Sequence, residues 1–179
     1  MYPIGHFGIA MLFAAPIAAF LHPRTQTGFT LYVIIAAWLP DLDLYVPGVA
    51  HHGVTHTVTF AVIAGLVGGA LAAGTVVVLK GPTRGGFFDQ FDPVRVFEFV
   101  ALGLFVGVLS HVVGDFLVLL PGTQPVSPFW PISERTYQFG VVRLGAPVQN
   151  AILIAVGLAL HAVISWRTSF NGGTTLADA

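Results

Sequence analysis

The sequence contains no cysteine. That absence excludes a disulfide framework, a thiolate-ligated zinc site and a cysteine nucleophile. Charge is scarce as well: Asp, Glu, Lys and Arg make up only 8% of the 179 residues, against about 25% in a soluble globular domain. Seven Lys/Arg against eight Asp/Glu leave a net charge of −1. The chain therefore has neither the basic footprint of a nucleic-acid binder nor the charge density that solvates a disordered one. His-Glu-x-x-His and Gly-x-Ser-x-Gly are missing too, which argues against the commonest metalloprotease and serine-esterase chemistries. What remains is apolar: 55% of the residues are hydrophobic, more than one soluble domain of this length needs. The composition is that of a polytopic membrane protein.

A helix that crosses a hydrocarbon core of about 30 Å needs about 20 mostly apolar residues. Gly5–Leu21, Phe29–Val46, Val54–Leu79, Val96–Leu120 and Val148–Trp166 come close to that. They predict an all-α membrane helix bundle of about five spans. Residues 1–167 form one integral-membrane domain, and the Gly/Thr-rich tail, residues 168–179, is expected to be mobile. The first stretch is short and carries Pro16, and the second is interrupted by Pro40, so both are expected to tilt or end inside the membrane. No Lys or Arg precedes the first stretch and no clear cleavage site follows it, so it is expected to be retained. With the N-terminus outside, Arg24, Lys80, Arg84, Arg95 and Arg167 lie inside and only Arg135 and Arg143 outside. This favours N-out, C-in. Gly65/Gly69 and Gly103/Gly107 have the small-xxx-small spacing of close helix contacts, and the second series continues through His111 and Asp115.

Ionisable side chains are costly in a membrane, so each is a functional candidate. They fall in four short motifs: Gly5-His6; Pro40-Asp41-Leu42-Asp43; His51-His52-Gly53-Val54-Thr55-His56-Thr57; and Ser110-His111-Val112-Val113-Gly114-Asp115. Alternating the spans brings His6, Asp41, Asp43, His51, His52, His56, His111 and Asp115 to one depth in the outer half. His22 and His161 fall near the inner face, where His161 reads as a satisfied polar residue. Imidazole and carboxylate donors without thiolate suit a divalent ion, Zn²⁺ first, with Mn²⁺ or Fe²⁺ also compatible. The surplus of donors allows two ions, or one ion with carboxylates holding its imidazoles. Glu134 and Arg135 read either as an exposed ion pair or as substrate contacts.

These motifs, followed by Phe129-Trp130-Pro131, resemble the YdjM-type membrane-bound metal-dependent hydrolases, in order from residue 5 to about residue 131. The resemblance implies a multi-span membrane protein with metal-dependent hydrolase activity. It implies His6, His51, His56 and His111 as ligands, and Asp41, Asp43 and Asp115 as ligands, bridges or general bases. Three positions depart from the family pattern. His52 stands where the family has Arg, Thr57 where it has Ser, and Leu44 where a His often follows the second Asp. The match therefore assigns the ligand role to His51 and leaves His52 beside the ligands or facing the substrate. The His/Asp pattern is more distantly similar to zinc-dependent phospholipases C and related nucleases, which implies phosphoesters.

The expected function is a metal-dependent hydrolase at the outer membrane face, with Asp41, Asp43, His52 and Asp115 as candidate catalytic groups. Its partners are membrane lipids and a phosphoester or lipid-like ester, with no nucleic acid. The competing expectation is a metal- or proton-binding transport protein, since intramembrane His and Asp also build ion pathways.

Overall fold

A computed structural model describes residues 3–80, 86–118, 124–143 and 145–174, with side chains through residue 168. Five α-helices account for most of it: α1 (Pro3–Ala18), α2 (Pro23–Ala36), α3 (Val58–Leu79), α4 (Pro93–Phe116) and α5 (Pro147–Thr174). Four of them open on proline, which has no N–H to leave unpaired in a first turn. Side-chain caps complete three of the starts. His22 Nδ1 accepts from the Arg24 N–H at 3.3 Å. Thr57 Oγ1 accepts from Phe60 at 3.0 Å, and Asp92 Oδ1 accepts from Val94 at 2.8 Å and Arg95 at 3.0 Å.

Four segments are long and apolar enough to cross a membrane: Pro23–Tyr45, Val58–Leu79, Pro93–Phe116 and Pro147–Thr168. Of the five expected spans, the first is the exception. At 16 residues, α1 is about 24 Å long and falls short of the hydrocarbon core. The second span starts earlier than its apolar pattern, at Pro23. It gives way before Pro40, which lacks the N–H to extend the ladder, and the chain tightens into a 3-10 helix, Pro40–Tyr45. Helix α5 continues through residues 168–174, which the sequence places in the tail; residues 175–179 lie outside the described residues.

Helix α4 is the centre of the bundle, packed against α1, α2 and α3, while α5 covers the far side of α1. The two glycine pairs serve different partners. A Cβ on Gly65 would stand 2.8 Å from the Ala101 carbonyl of α4, and one on Gly107 would stand 2.8 Å from the Val33 carbonyl of α2. Small residues thus let three backbones close up. Ala10, Ala14, Phe29, Val33, Ala37 and Val106 fill the space among α1, α2 and α4. A second cluster of Ala61, Val108, Val112 and Val126 ties the segment after α4 onto the start of α3. There the Val58 N–H donates to the Pro128 carbonyl at 2.8 Å, and the Thr59 hydroxyl donates to the Trp130 carbonyl at 2.9 Å. No strand occurs among the described residues, only two isolated bridges, Val118–Val142 and Val126–Tyr137.

Candidate metal centre

The site lies where the N-terminal part of α1, the 3-10 helix after α2, the loop before α3 and the C-terminal part of α4 converge. Helical spacing puts Gly103, Gly107, His111 and Asp115 on one stripe of α4, all buried. The lower pair meets α2 and the upper pair meets the other motifs. His111 Nε2 stands 3.2 Å from Asp115 Oδ2 and 3.3 Å from Asp41 Oδ1. His56 Nε2 faces the same two oxygens, each at 3.6 Å. His6 Nε2 reaches Asp115 Oδ1 at 3.4 Å, and its ring stacks on His111 with centroids 3.9 Å apart. His52 Nε2 lies 3.7 Å from Asp115 Oδ2.

Asp43 stands apart from this convergence. It is buried, and it accepts the His51 Nδ1–H at 2.9 Å on one oxygen and the Thr55 hydroxyl at 2.7 Å on the other. The second oxygen also faces His56 Nδ1 at 3.3 Å. A carboxylate on Nδ1 keeps the proton there and turns the Nε2 lone pair towards the cluster. Asp43 belongs to none of the groups that could hold an ion, which are His51/His52/His56, His6/His111/Asp115 and Asp41/His56/His111. A two-residue step along a 3-10 helix with three residues per turn points Asp41 and Asp43 to different sides.

The adjacent histidines also differ. His52 adopts φ 62°, a left-handed conformation that a bulky residue seldom takes but that His enters more readily than most. Its side chain is only 4% exposed, whereas that of His51 is 35% exposed. His52 Nδ1 donates to the Gln124 carbonyl at 2.7 Å, so its Nε2 lone pair faces inward. Burial holds the His52 imidazole below its ordinary pKa, leaving it neutral near pH 7 and fit to donate that lone pair.

All eight sequence-predicted residues therefore join one contiguous network. His22 and His161 stay out of it. His22 caps α2, and His161 Nε2 donates to the Met11 carbonyl at 3.0 Å. Arg135 lies over the Tyr137 ring, 5.5 Å from its centroid. Two supporting groups were not identified from the sequence. The Thr55 hydroxyl is one. Gly114 is the other: a Cβ there would lie 2.6 Å from His6 Nδ1, so only glycine leaves room for that ring. The i+3 spacing from His111 to Gly114 gave no signal of it, because His6 arrives from a different helix.

Two observations test whether these residues fit a metal ion. His56 Nε2 and His111 Nε2 are fully buried with no hydrogen-bond partner, although carboxylate oxygens are close to both. Buried polar atoms are normally satisfied; atoms that converge without hydrogen bonding have the geometry of donors aimed at a shared centre. The imidazole–carboxylate contacts of 3.2, 3.3, 3.6 and 3.6 Å also each suit a pair of ligands on a common ion, since metal–ligand bonds of about 2.0–2.2 Å put adjacent tetrahedral ligands about 3.3–3.6 Å apart. The residues fit.

A cleft of about 150 Å³ opens onto the cluster, with His6, Asp41 and His111 at its polar end and Trp38, Leu42, Leu44 and Tyr45 among its walls. Asp41, at 34% side-chain exposure, is the carboxylate that reaches it.

No curated protein and no solved structure matches the chain. The family described as YdjM inner membrane protein matches residues 1–176. Nearly the whole chain is covered, helices and His/Asp motifs alike, and the protein belongs to the YdjM inner membrane protein family.

Proposed function

We propose that this protein is a membrane-embedded metal-dependent hydrolase acting on a phosphoester or lipid-like ester at the outer membrane face, with Zn²⁺ as its ion. The observation that carries this reading is the pair of buried imidazole nitrogens without a hydrogen bond, His56 Nε2 and His111 Nε2, facing Asp41 and Asp115 beside a cleft that Asp41 and His111 line. His56, His111, Asp41 and Asp115 lie at the middle of the donor set that would hold metal, with His6, His51 and His52 completing it. A divalent ion bound there supplies Lewis-acid polarisation and water acidified towards neutral pH. The chain's own groups do the rest. Asp43 and the Gln124 carbonyl hold protons on Nδ1 of His51 and His52, which fixes the tautomers. Asp41 contacts both imidazoles through Oδ1 and is the carboxylate that reaches the cleft, so its second oxygen would be placed to accept a proton from water there.

The apolar walls support a substrate with a hydrocarbon part. Trp38, Leu42, Leu44 and Tyr45 are all exposed large side chains, suited to lipid at the level of the headgroups. The transport alternative draws less support. Towards the other end of the bundle the polar groups are satisfied within the chain: Thr30 donates to the Gln26 carbonyl at 3.0 Å, and Gln26 donates to the Leu21 carbonyl at 3.1 Å.

The test is a screen of the purified protein in detergent over phosphate esters, phospholipids and carboxylic esters, with and without chelator. Chelator-sensitive turnover of a phosphoester, restored by Zn²⁺, is the expected result. Ion flux in sealed vesicles with no turnover of any ester would overturn the reading in favour of transport.

A further inference from the structure

We propose that the cluster is a two-ion centre, with His6, His111 and Asp115 facing one ion, His51, His52 and His56 facing the other, and Asp41 and Asp115 bridging them. This rests on the metal-binding reading above. The two triads share no residue, the group Asp41, His56 and His111 takes one imidazole from each, and within every group the donor atoms lie within 4.8 Å of one another. They also come from different parts of the fold, one from α1 and α4 and the other from the loop before α3. Each bridging carboxylate faces both triads. Asp41 Oδ1 is 3.6 Å from His56 Nε2 and 3.3 Å from His111 Nε2. Asp115 Oδ2 is 3.7 Å from His52 and 3.2 Å from His111, while Asp115 Oδ1 turns to His6 at 3.4 Å.

One ion leaves this arrangement unexplained. A catalytic zinc site takes three protein ligands and keeps a position open, so a single ion on Asp41, His56 and His111 would leave His6, His51 and His52 without one. A buried imidazole left without an ion needs another partner, and the Nε2 atoms of His6 and His52 both turn to Asp115, at 3.4 and 3.7 Å, the carboxylate that also meets His111.

Charge points the same way. Neutral imidazoles bring none, whereas Asp41, Asp43 and Asp115 bring three negative charges when ionised. One divalent ion would leave the centre net negative, which repels an anionic phosphoester. Two would leave it net positive. That excess suits an anionic phosphoester, and among the described residues no Lys or Arg lines the cleft to provide it otherwise.

The experiment uses the full-length protein in detergent, stripped by chelator, reloaded with Mn²⁺ and freed of excess ion. Elemental analysis gives the stoichiometry, and electron paramagnetic resonance reads whether the ions are spin-coupled. About two equivalents per chain with a coupled spectrum are expected, as for ions about 3.5–4 Å apart. His6→Ala, and separately His51→Ala/His52→Ala, should each retain about half the wild-type metal with an uncoupled signal. One equivalent in the wild type, or two without coupling, would overturn the bridged pair. Either variant keeping the full wild-type content would overturn the partition. No bound metal at all would instead overturn the metal-binding reading itself. If the variants fail to fold, the wild-type stoichiometry and coupling still decide.

Discussion

Replacing Asp43 by asparagine tests the division of labour inside the cluster. The carboxylate accepts from His51 Nδ1 at 2.9 Å and from the Thr55 hydroxyl at 2.7 Å, and faces His56 Nδ1 at 3.3 Å. An amide of the same shape has one acceptor oxygen and one NH₂ donor. However it is oriented, the NH₂ meets another donor on one side, and an imidazole there loses the partner that keeps its proton on Nδ1. The proton then shifts to Nε2, on the side of the ion. Loss of such an orienting partner costs about 10–100-fold in metal affinity, or about 1.4–2.7 kcal/mol. Zn²⁺ affinity measured by chelator competition should therefore rank wild type above Thr55→Val, then Asp43→Asn, then His111→Ala. Thr55→Val ranks second because it removes a donor to Asp43 and the 3.1 Å hydroxyl contact to His56 Nδ1 but leaves the Asp43 carboxylate facing both imidazoles. An Asp43→Asn variant as impaired as His111→Ala would make Asp43 a direct ligand; unchanged affinity would remove it from the site.

Further outcomes follow from other parts of the structure. Gly114→Ala would press a Cβ to 2.6 Å from His6 Nδ1; we expect a loss of about 1–3 kcal/mol by thermal unfolding with weakened Zn²⁺ binding, and unchanged binding would refute the packing argument. Thr57 caps α3, so Thr57→Ala should destabilise by about 1 kcal/mol while Thr57→Ser stays close to wild type; equal melting temperatures for all three would dismiss the cap. The Arg95 backbone N–H holds the exposed Asp92 carboxyl below its ordinary pKa. Its contribution is therefore present above the ordinary carboxylate range and lost as pH falls through the lowered value, so melting curves of Asp92→Asn should depend less on acid pH than those of wild type. Single cysteines introduced at positions 51 and 84 should label from opposite sides of the membrane in whole cells, position 51 from outside; labelling from one side would contradict the topology.

Much of the fold was legible because it depends on composition and period. Long apolar runs announce helices, and the glycine pairs announce where α4 closes on its neighbours. The ends were less legible. Apolar residues continue past Ala18 to Phe20 and Leu21, yet α1 stops, and α2 begins in a polar turn, Pro23 to Thr27, because the His22 cap and Pro23 outweigh hydropathy. In the site, the inventory of donors was visible because charge is so rare in this chain that each ionisable residue stands out. Their roles were not visible. Asp41 and Asp43 look equivalent in the sequence and part company only when Pro40 opens a 3-10 helix. The family pattern already separates His51 from His52, but the burial of His52 depends on a left-handed backbone there, for which neighbouring residues give no rule. Gly114 acquires its role from a ring more than a hundred positions earlier in the chain.

The metal-binding reading stands on His56 and His111, whose buried Nε2 atoms have no hydrogen bond and would face bound metal. Elemental analysis of the purified wild type beside His56→Ala/His111→Ala, both checked for the same monodisperse elution in detergent, tests it most directly. The account predicts tightly bound Zn²⁺ in the wild type and its loss from a variant that still elutes as a folded protein. Equal metal in both, or none in the wild type after purification and reloading with Zn²⁺, would contradict it.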